Sequence, residues 1–457
     1  MTESPVFRLV GGHVLNSLRS LPSKYVQTCV TSPPYYGLRA YGTEPQVWGG
    51  SPNCEHVWAS TRYYREISAA VDSDEAFEGA GEDNAERLKT ARWREDSTCS
   101  VCGAWLGELG LEPTLDLYIE HIVEVFREVF RVLRDDATLW LNLGDTYSGS
   151  GKSGNRQGKQ GSNVGSHDKP GRRPNASGFK RKELMGIPWR VVFALQDNGW
   201  CLRRDIVWQK ANAMPESSRD RPSSCHEFIF LLSKPAGRKR LWRNNLTGEW
   251  VYKKPNMKLY ASVSDKQVRV WRGFDYLYDA DAIAEPCSLN THARMKREGK
   301  GVDVGGLASG AVSHTAIDFT HPVTGGFRGV SPKSKMIVTH TPGGSQPQPR
   351  SNESFSAAVV GIVSHRNSRD VWSIPSRGYK GLHFATFPPE LPRRCILAST
   401  KPGDIVLDLF SGSGTTSAEA VRLGRVAVAQ ELKDGYHSLI RDRVSEVTLP
   451  MDFGGAA

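Results

Sequence analysis

Ile405-Val406-Leu407-Asp408-Leu409-Phe410-Ser411-Gly412-Ser413-Gly414-Thr415-Thr416 decides the fold. An apolar, β-branched run gives way to a turn with two glycines, and Thr416 to Leu423 then reads as a helix. Strand, glycine turn and helix in that order put the turn at the carboxyl end of a buried parallel strand, where open α/β sheets hold their ligands. Near the other end of the chain, Val26 to Val30 is a second run of this kind, and Val30-Thr31-Ser32-Pro33-Pro34-Tyr35 leaves it. The two stretches read as two halves of one site.

Working outward, Val6 to Val10 reads as a strand and Leu15 to Leu21 as the start of a helical connection. Thr114 to Leu133 is an amphipathic helix, its apolar stripe marked by Leu117, Ile122, Val125, Phe126, Val129, Phe130 and Leu133. Thr138 to Leu143 is a strand ending at Gly144-Asp145, and Pro188 to Gln196 a helix stopped by Asn198-Gly199. Asp205 to Gln209 and Glu227 to Leu232 are further strands. Pro389 to Ala398 is a helix leading through Lys401-Pro402-Gly403-Asp404 into the glycine-turn strand, and Val426 to Gln430 is a last strand with Glu431 at its tip. This alternation predicts a doubly wound, largely parallel α/β sheet.

The chain has 457 residues, enough for one large α/β domain and a second module, and its net charge of +10 suits a polyanionic partner. The charge is concentrated from Gly151 to Lys182, a Gly-, Ser-, Lys- and Arg-rich segment with a lone acid, Asp168. It reads either as a mobile loop that orders on phosphates or as a solvated linker. No run of ~18 apolar residues exists, so no membrane span is expected. Met1 to Arg8 has no charged-then-apolar leader, and several of the eight cysteines (Cys29, Cys201, Cys395) lie in apolar stretches; both point to a cytoplasmic protein with reduced thiols.

A glycine-rich turn lets backbone approach a ligand closely, and a lone Gly-x-Gly would say little more. Here Asp408, Phe410, Gly412, Gly414, Thr415 and Thr416 form a longer pattern, which has Thr415 and Thr416 where the lysine-bearing phosphate loop needs Lys and Ser or Thr. ATP and GTP are disfavoured. Glu431 is placed to accept hydrogen bonds from ribose hydroxyls, a helix-capping carboxylate being the bland alternative. At the other motif, the Ser32 hydroxyl and the Pro33 carbonyl can accept N–H groups of an aromatic amine, favouring a pyramidal nitrogen able to attack. Pro33-Pro34 fixes the backbone there, and Tyr35 or Tyr36 offers a face for a stacked base.

Together these motifs resemble the amino-group DNA methyltransferases, which use S-adenosylmethionine to methylate cytosine N4 or adenine N6. The resemblance runs from about Leu9 to Tyr436 and is patchy between Gly237 and Ser364. Catalytic motif first and cofactor motif last looks like the circularly permuted beta class, which implies a Rossmann-like methyltransferase fold. A hydrophobic residue followed by Thr-Ser-Pro-Pro-Tyr is the form typical of cytosine-N4 members. Adenine-N6 members more often carry Asp or Asn where this chain has Ser32, and adenine N6 stays open.

The resemblance implies catalytic roles for Ser32, Pro33, Pro34 and Tyr35. It implies cofactor contacts from Asp408, Phe410, Gly412, Gly414, Thr415 and Glu431, and from Thr386 and Pro388 in the segment His383-Phe384-Ala385-Thr386-Phe387-Pro388. The implied partner is double-stranded DNA; a cognate restriction endonuclease and a homodimer stay open. Relatives commonly have an acid after Gly at the exit of the first strand. This chain has Gly12-His13, and no role is carried to His13. Trp208-Gln209-Lys210, Asn212, Pro215, Arg221-Pro222 and His226-Glu227 match stretches that shape the target pocket. A catalytically silent DNA-binding protein is the reading from another class. RNA or protein-glutamine methylation is a third, and Pro286-Cys287 lacks the surroundings of a carbon-5 methyltransferase motif.

Cys54-x-His56 and Cys99-x-x-Cys102-Gly103 supply four zinc-type ligands, separated by an acidic insert from Asp72 to Glu86. A structural Zn2+ with no water-activating role is expected. The organisation that follows is a catalytic half over 1–50, a Cys/His module over 51–112, and the catalytic half continued over 113–235 with a basic loop at 150–182. A target-recognition region over 236–365 and a cofactor half over 366–445 complete it.

Overall fold

A computed structural model describes residues 6–38, 41–63, 94–149, 178–213, 218–235, 241–256, 260–263, 266–286, 365–376 and 387–448. The basic segment up to residue 177, the acidic insert, Pro215, residues 298–350 and Thr386 lie outside the described residues.

The strands in chain order are β1 (Phe7–Gly11), β2 (Val26–Thr31), β3 (Gln46–Trp48), β4 (Trp58–Tyr63), β5 (Arg94–Cys99), β6 (Trp105–Gly107), β7 (Leu133–Leu143), β8 (Cys201–Gln209) and β9 (His226–Ser233). There follow β10 (Leu241–Asn244), β11 (Trp250–Val251), β12 (Tyr260–Val263), β13 (Lys266–Arg269), β14 (Trp271–Phe274), β15 (Glu285–Pro286), β16 (His365–Arg366), β17 (Val371–Ser373), β18 (Ile405–Asp408) and β19 (Val426–Glu431). The main sheet has eight strands in the order β1-β19-β18-β2-β7-β9-β8-β17.

Pairing is parallel from β1 across to β7, and again between β8 and β17. Only β9 runs against both its neighbours. The expected doubly wound sheet is present, with this one reversed strand as its departure. β8 and β9 are joined by the 16-residue segment from Lys210 to Cys225, whose described residues include no helix, as an antiparallel pair allows. Strand order reverses between β18 and β2: β18 is followed outward by β19, and β2 by β7. That boundary is the switch point where such sheets bind ligands, and the two sequence motifs sit at its carboxyl end.

Helices cover both faces. Leu115–Val132 packs on Val14–Arg19 and on Ile187–Asp197; Thr415–Arg422 packs on Glu390–Ser399 and on His437–Thr448. β7 separates the two sets, because its side chains alternate. Leu139, Leu141 and Leu143 join the core under Leu115–Val132, whereas Trp140 Nε1 donates to Ser399 Oγ at 3.1 Å at the end of Glu390–Ser399. In Leu115–Val132 the Thr114 hydroxyl caps the first turn by accepting from Leu117 N at 3.2 Å. That cap contributes about 1 kcal/mol. Full burial of Ile122, Val125, Phe126, Val129 and Val132 contributes roughly 1.5–3 kcal/mol for each side chain, so packing decides this helix. The buried stripe takes in Tyr118 and His121, which the apolar pattern passes over.

The chain forms two compact units. One comprises Met1–Pro255, Arg272–Asp279 and Asp370–Ala457, and the other Asn256–Trp271 and Ala280–Arg369. In the second, β12 pairs antiparallel with β13 and β15 with β16. In the first, β3, β6, β5 and β4 form a separate four-stranded antiparallel sheet that carries the Cys/His residues.

Candidate active site

The two motifs meet. Thr31, the last residue of β2, donates its hydroxyl to Asp408 Oδ1 at 2.8 Å across 377 positions of sequence, and the Leu409 amide donates back to Thr31 Oγ1 at 3.3 Å. Beyond this staple the chains part around a cavity of about 580 Å3, within the ~300–1,000 Å3 of small-molecule sites. Ser32, Pro33, Pro34 and Tyr35 line it from one side, and Phe410, Gly412, Thr415 and Glu431 from the other.

The glycine turn is shaped largely by its own backbone. Gly414, at φ +76°, caps the helix Thr415–Arg422 in the left-handed region, and a Cβ there would lie 3.1 Å from Ile440. Glu431 accepts from the Gly412 amide at 2.8 Å and the Lys433 amide at 2.9 Å, and burial pushes its carboxyl above the ordinary range. Arg443 reaches in from His437–Thr448, donating to the Ser413 and Thr415 hydroxyls at 2.8 Å each.

Three residues expected at the cofactor do not line the cavity. Asp408 is 2% exposed and spends its carboxylate on Thr31 and on the Phe410 amide at 3.3 Å, so it braces the turn from beneath. Burial raises its carboxyl from 3.8 to about 6, against the pull of the Thr416 and Thr31 hydroxyls and the Phe410 amide. Gly414 faces Ile440, and Pro388 is buried at the start of Glu390–Ser399 while its neighbour Phe387 lines the wall.

The catalytic loop is held by side chains from distant elements. Tyr118 donates to the Pro34 carbonyl at 2.9 Å. Tyr35 Oη lies 2.8 Å from Glu227 Oε2 and 3.1 Å from Asn142 Oδ1, while Ser32 Oγ donates to it at 3.1 Å. Asn142 in turn donates to Glu227 Oε2 at 3.2 Å and to the Phe228 carbonyl at 3.1 Å, and Lys210 pairs with the other Glu227 oxygen. Burial first, and the Glu227 carboxylate second, push the Tyr35 phenol well above its usual range, so it stays protonated. Its single proton goes to the carboxylate, which can only accept. The Ser32 proton goes to Tyr35, and the Ser32 lone pairs remain to accept. The Tyr35 ring lies over Gly144, where a Cβ would approach it to 2.6 Å.

Tyr36 does not face the cavity: it is buried against Tyr118, ring centroids 5.5 Å apart, because Gly37 is drawn to the Gly110 carbonyl at 2.7 Å and turns the loop into the core. Trp208 lines the cavity and is also packed into the sheet, its indole donating to the Ile374 carbonyl at 2.9 Å. His13 also lines the cavity, its ring 4.5 Å from that of Trp48. Burial, with Arg19 as a smaller influence, lowers it from 6.5 to about 4, so it is neutral at neutral pH.

Such a switch-point cavity, with amine acceptors on one lip and a nucleoside-type turn on the other, defines a methyltransferase acting on exocyclic amino groups. The chain belongs to the DNA methylase family of N6 and N4 methyltransferases, whose model matches residues 26–442. It is 32% identical to the Type II methyltransferase M.XycI of Xanthomonas campestris pv. cyanopsidis over 441 residues, covering 95% of this chain and 87% of that protein. To M.SmaI of Serratia marcescens it is 31% identical over 338 residues, 74% of this chain and 77% of that one. Among solved structures, the cytosine-N4-specific PvuII DNA methyltransferase superposes with a TM-score of 0.43 at 13% identity, over 98% of this chain and 93% of that one.

The cofactor is S-adenosylmethionine, and the residues present fit it: a cavity of suitable size at the switch point, walled by the glycine turn and the Glu431 carboxylate. Among the described residues no helix is long and apolar enough to cross a membrane.

Proposed function

We propose that this DNA amino-methyltransferase methylates cytosine at N4, on a base turned out of duplex DNA. The observation that carries the reading is the Glu227–Tyr35–Ser32 chain of hydrogen bonds, which ends in a serine hydroxyl fixed as an acceptor. Ser32 and the Pro33 carbonyl then receive the two amino hydrogens of the target and orient its lone pair away from the ring. S-adenosylmethionine supplies an electrophilic methyl group, and Glu431 with the Phe410–Ser413 backbone would hold it. The lip carries a neutral hydroxyl at position 32, as in the cytosine-N4 form of the motif, where a carboxylate or amide would mark the adenine-N6 form. Proton loss follows transfer, and no enzyme nucleophile is required.

The relatives' Type II names extend the proposal to a restriction–modification role, in which the methylated sequence is protected from a cognate endonuclease. Mass analysis of nucleosides from the DNA of cells expressing the chain should reveal N4-methylcytosine. N6-methyladenine without N4-methylcytosine would overturn the base assignment. Neither mark, together with no binding in a cofactor titration, would leave a silent DNA-binding protein.

A further inference from the structure

The four-stranded sheet β3-β6-β5-β4 brings Cys54, His56, Cys99 and Cys102 together, their ligand atoms all within 4.8 Å of one another. Cys54 Sγ lies 3.8 Å from Cys99 Sγ, and Cys102 Sγ lies 3.4 Å from His56 Nδ1. A tetrahedral zinc with Zn–S near 2.3 Å and Zn–N near 2.05 Å has S···S edges of about 3.8 Å and S···N edges of about 3.6 Å. Both spacings match those edges, and the widest pair needs about 1 Å of closure to reach one. Backbone bonds shape the knuckle independently: the Gly103 amide donates to the Cys99 carbonyl at 2.9 Å, and the Cys99 amide to the Ala104 carbonyl at 2.7 Å. Four protein ligands close the coordination sphere, which excludes a water-activating role.

The centre is wired to the cavity by two routes. Trp48 and Trp105, paired across β3 and β6, both stack on His121 with ring centroids 5.6 and 5.7 Å apart. Trp48 and its neighbour His13 line the cavity itself. Along the second route, His121 Nδ1 meets Glu112 Oε1 at 3.1 Å, Glu112 Oε2 accepts from the Gly110 amide at 2.7 Å, and the Gly110 carbonyl accepts from Gly37, two positions beyond Tyr35.

We infer that a structural Zn2+ held by Cys54, His56, Cys99 and Cys102 positions the cavity wall and the Ser32–Tyr35 loop, so that cofactor binding depends on a metal that never touches the cofactor. Metal binding free energy is thereby spent on ordering the site.

The full chain should carry about one zinc per molecule by elemental analysis. Cys102→Ala should lose it, and His56→Cys, which keeps four ligands, should retain it with normal cofactor affinity. Chelator stripping of the wild type should weaken S-adenosylmethionine binding about tenfold or more and shift the Trp48/Trp105 emission, with both restored on adding Zn2+ alone. A chain purified without zinc that binds cofactor at full affinity would overturn the metal. Zinc that strips away with cofactor affinity and emission unchanged would overturn the coupling.

Discussion

The two lips of the cavity are built in different ways. The glycine turn draws most of its shape from neighbours in sequence: β18 before it, the helix Thr415–Arg422 after it, and Glu431 of the next strand, with Arg443 as an outer brace. The Ser32–Tyr35 loop borrows its shape from elsewhere, from Tyr118, Asn142 and Glu227, which lie 84, 107 and 192 positions from their partners. A locally built turn tolerates loss of a remote contact; a loop held by remote side chains does not. Under the proposed function, affinity falls to the first lip and turnover to the second.

The sharpest way to break this contrast is on the catalytic lip. Ser32→Ala should lower kcat roughly 10²–10³-fold. Glu227→Gln, whose amide can donate and so reverse the polarity of the Tyr35–Ser32 chain, should lower it roughly 10- to 100-fold. Both should leave cofactor Kd nearly unchanged, measured by calorimetry beside steady-state turnover. Equal losses of kcat and affinity in Ser32→Ala would mean that the lips are not separable.

The staple between the lips gives the next effect. Folding raises the Asp408 carboxyl from 3.8 to about 6, so the folded chain holds that proton more tightly than the unfolded one. Its contribution to stability therefore falls as pH rises from about 4 to about 6 and is level above, a drop on the order of 1–3 kcal/mol. Asp408→Asn should flatten that part of the profile in urea melts at pH 4.5 and 7.5. An identical pH slope in both proteins would remove Asp408 as its source.

The smallest effect belongs to the outer brace. Arg443→Ala should weaken cofactor binding about tenfold, or ~1.4 kcal/mol, with kcat at saturating cofactor preserved. Lost turnover at unchanged affinity would invert the division.

Sequence made the first lip readable because strand, glycine turn and helix are consecutive, and each carries a local signature. Its limits were orientational: Asp408, Gly414 and Pro388 belong to the right segments but turn beneath the turn or into the core. On the second lip the Ser-Pro-Pro-Tyr stretch was legible; of its supports, only Glu227 and Lys210 were pointed to, and only through the resemblance. Asn142 sits inside β7 and Glu227 inside β9, where strand propensity explains the surrounding residues and nothing local marks either as a hydrogen-bond partner of Tyr35. Gly144 and Arg443 are equally silent until the sheet and the last helix bring them in. The reversal of β9 is a matter of pairing, which a strand's own composition does not encode.

The pairing of β1 with β19 sets the timing of assembly during translation. Phe7 to Gly11 leave the ribosome more than 400 residues ahead of Ala427 to Glu431, which among the described residues are their sole neighbour in the main sheet. At ~5–20 residues per second the nascent segment waits roughly 20–80 s, its hydrogen-bonding edge open to any other extended chain. Ribosomes that stall before Val426 release a polypeptide that still carries Ser-Pro-Pro-Tyr but has no place to lodge its first strand. Such fragments also lack Glu431, which accepts from the Gly412 amide and braces the glycine turn.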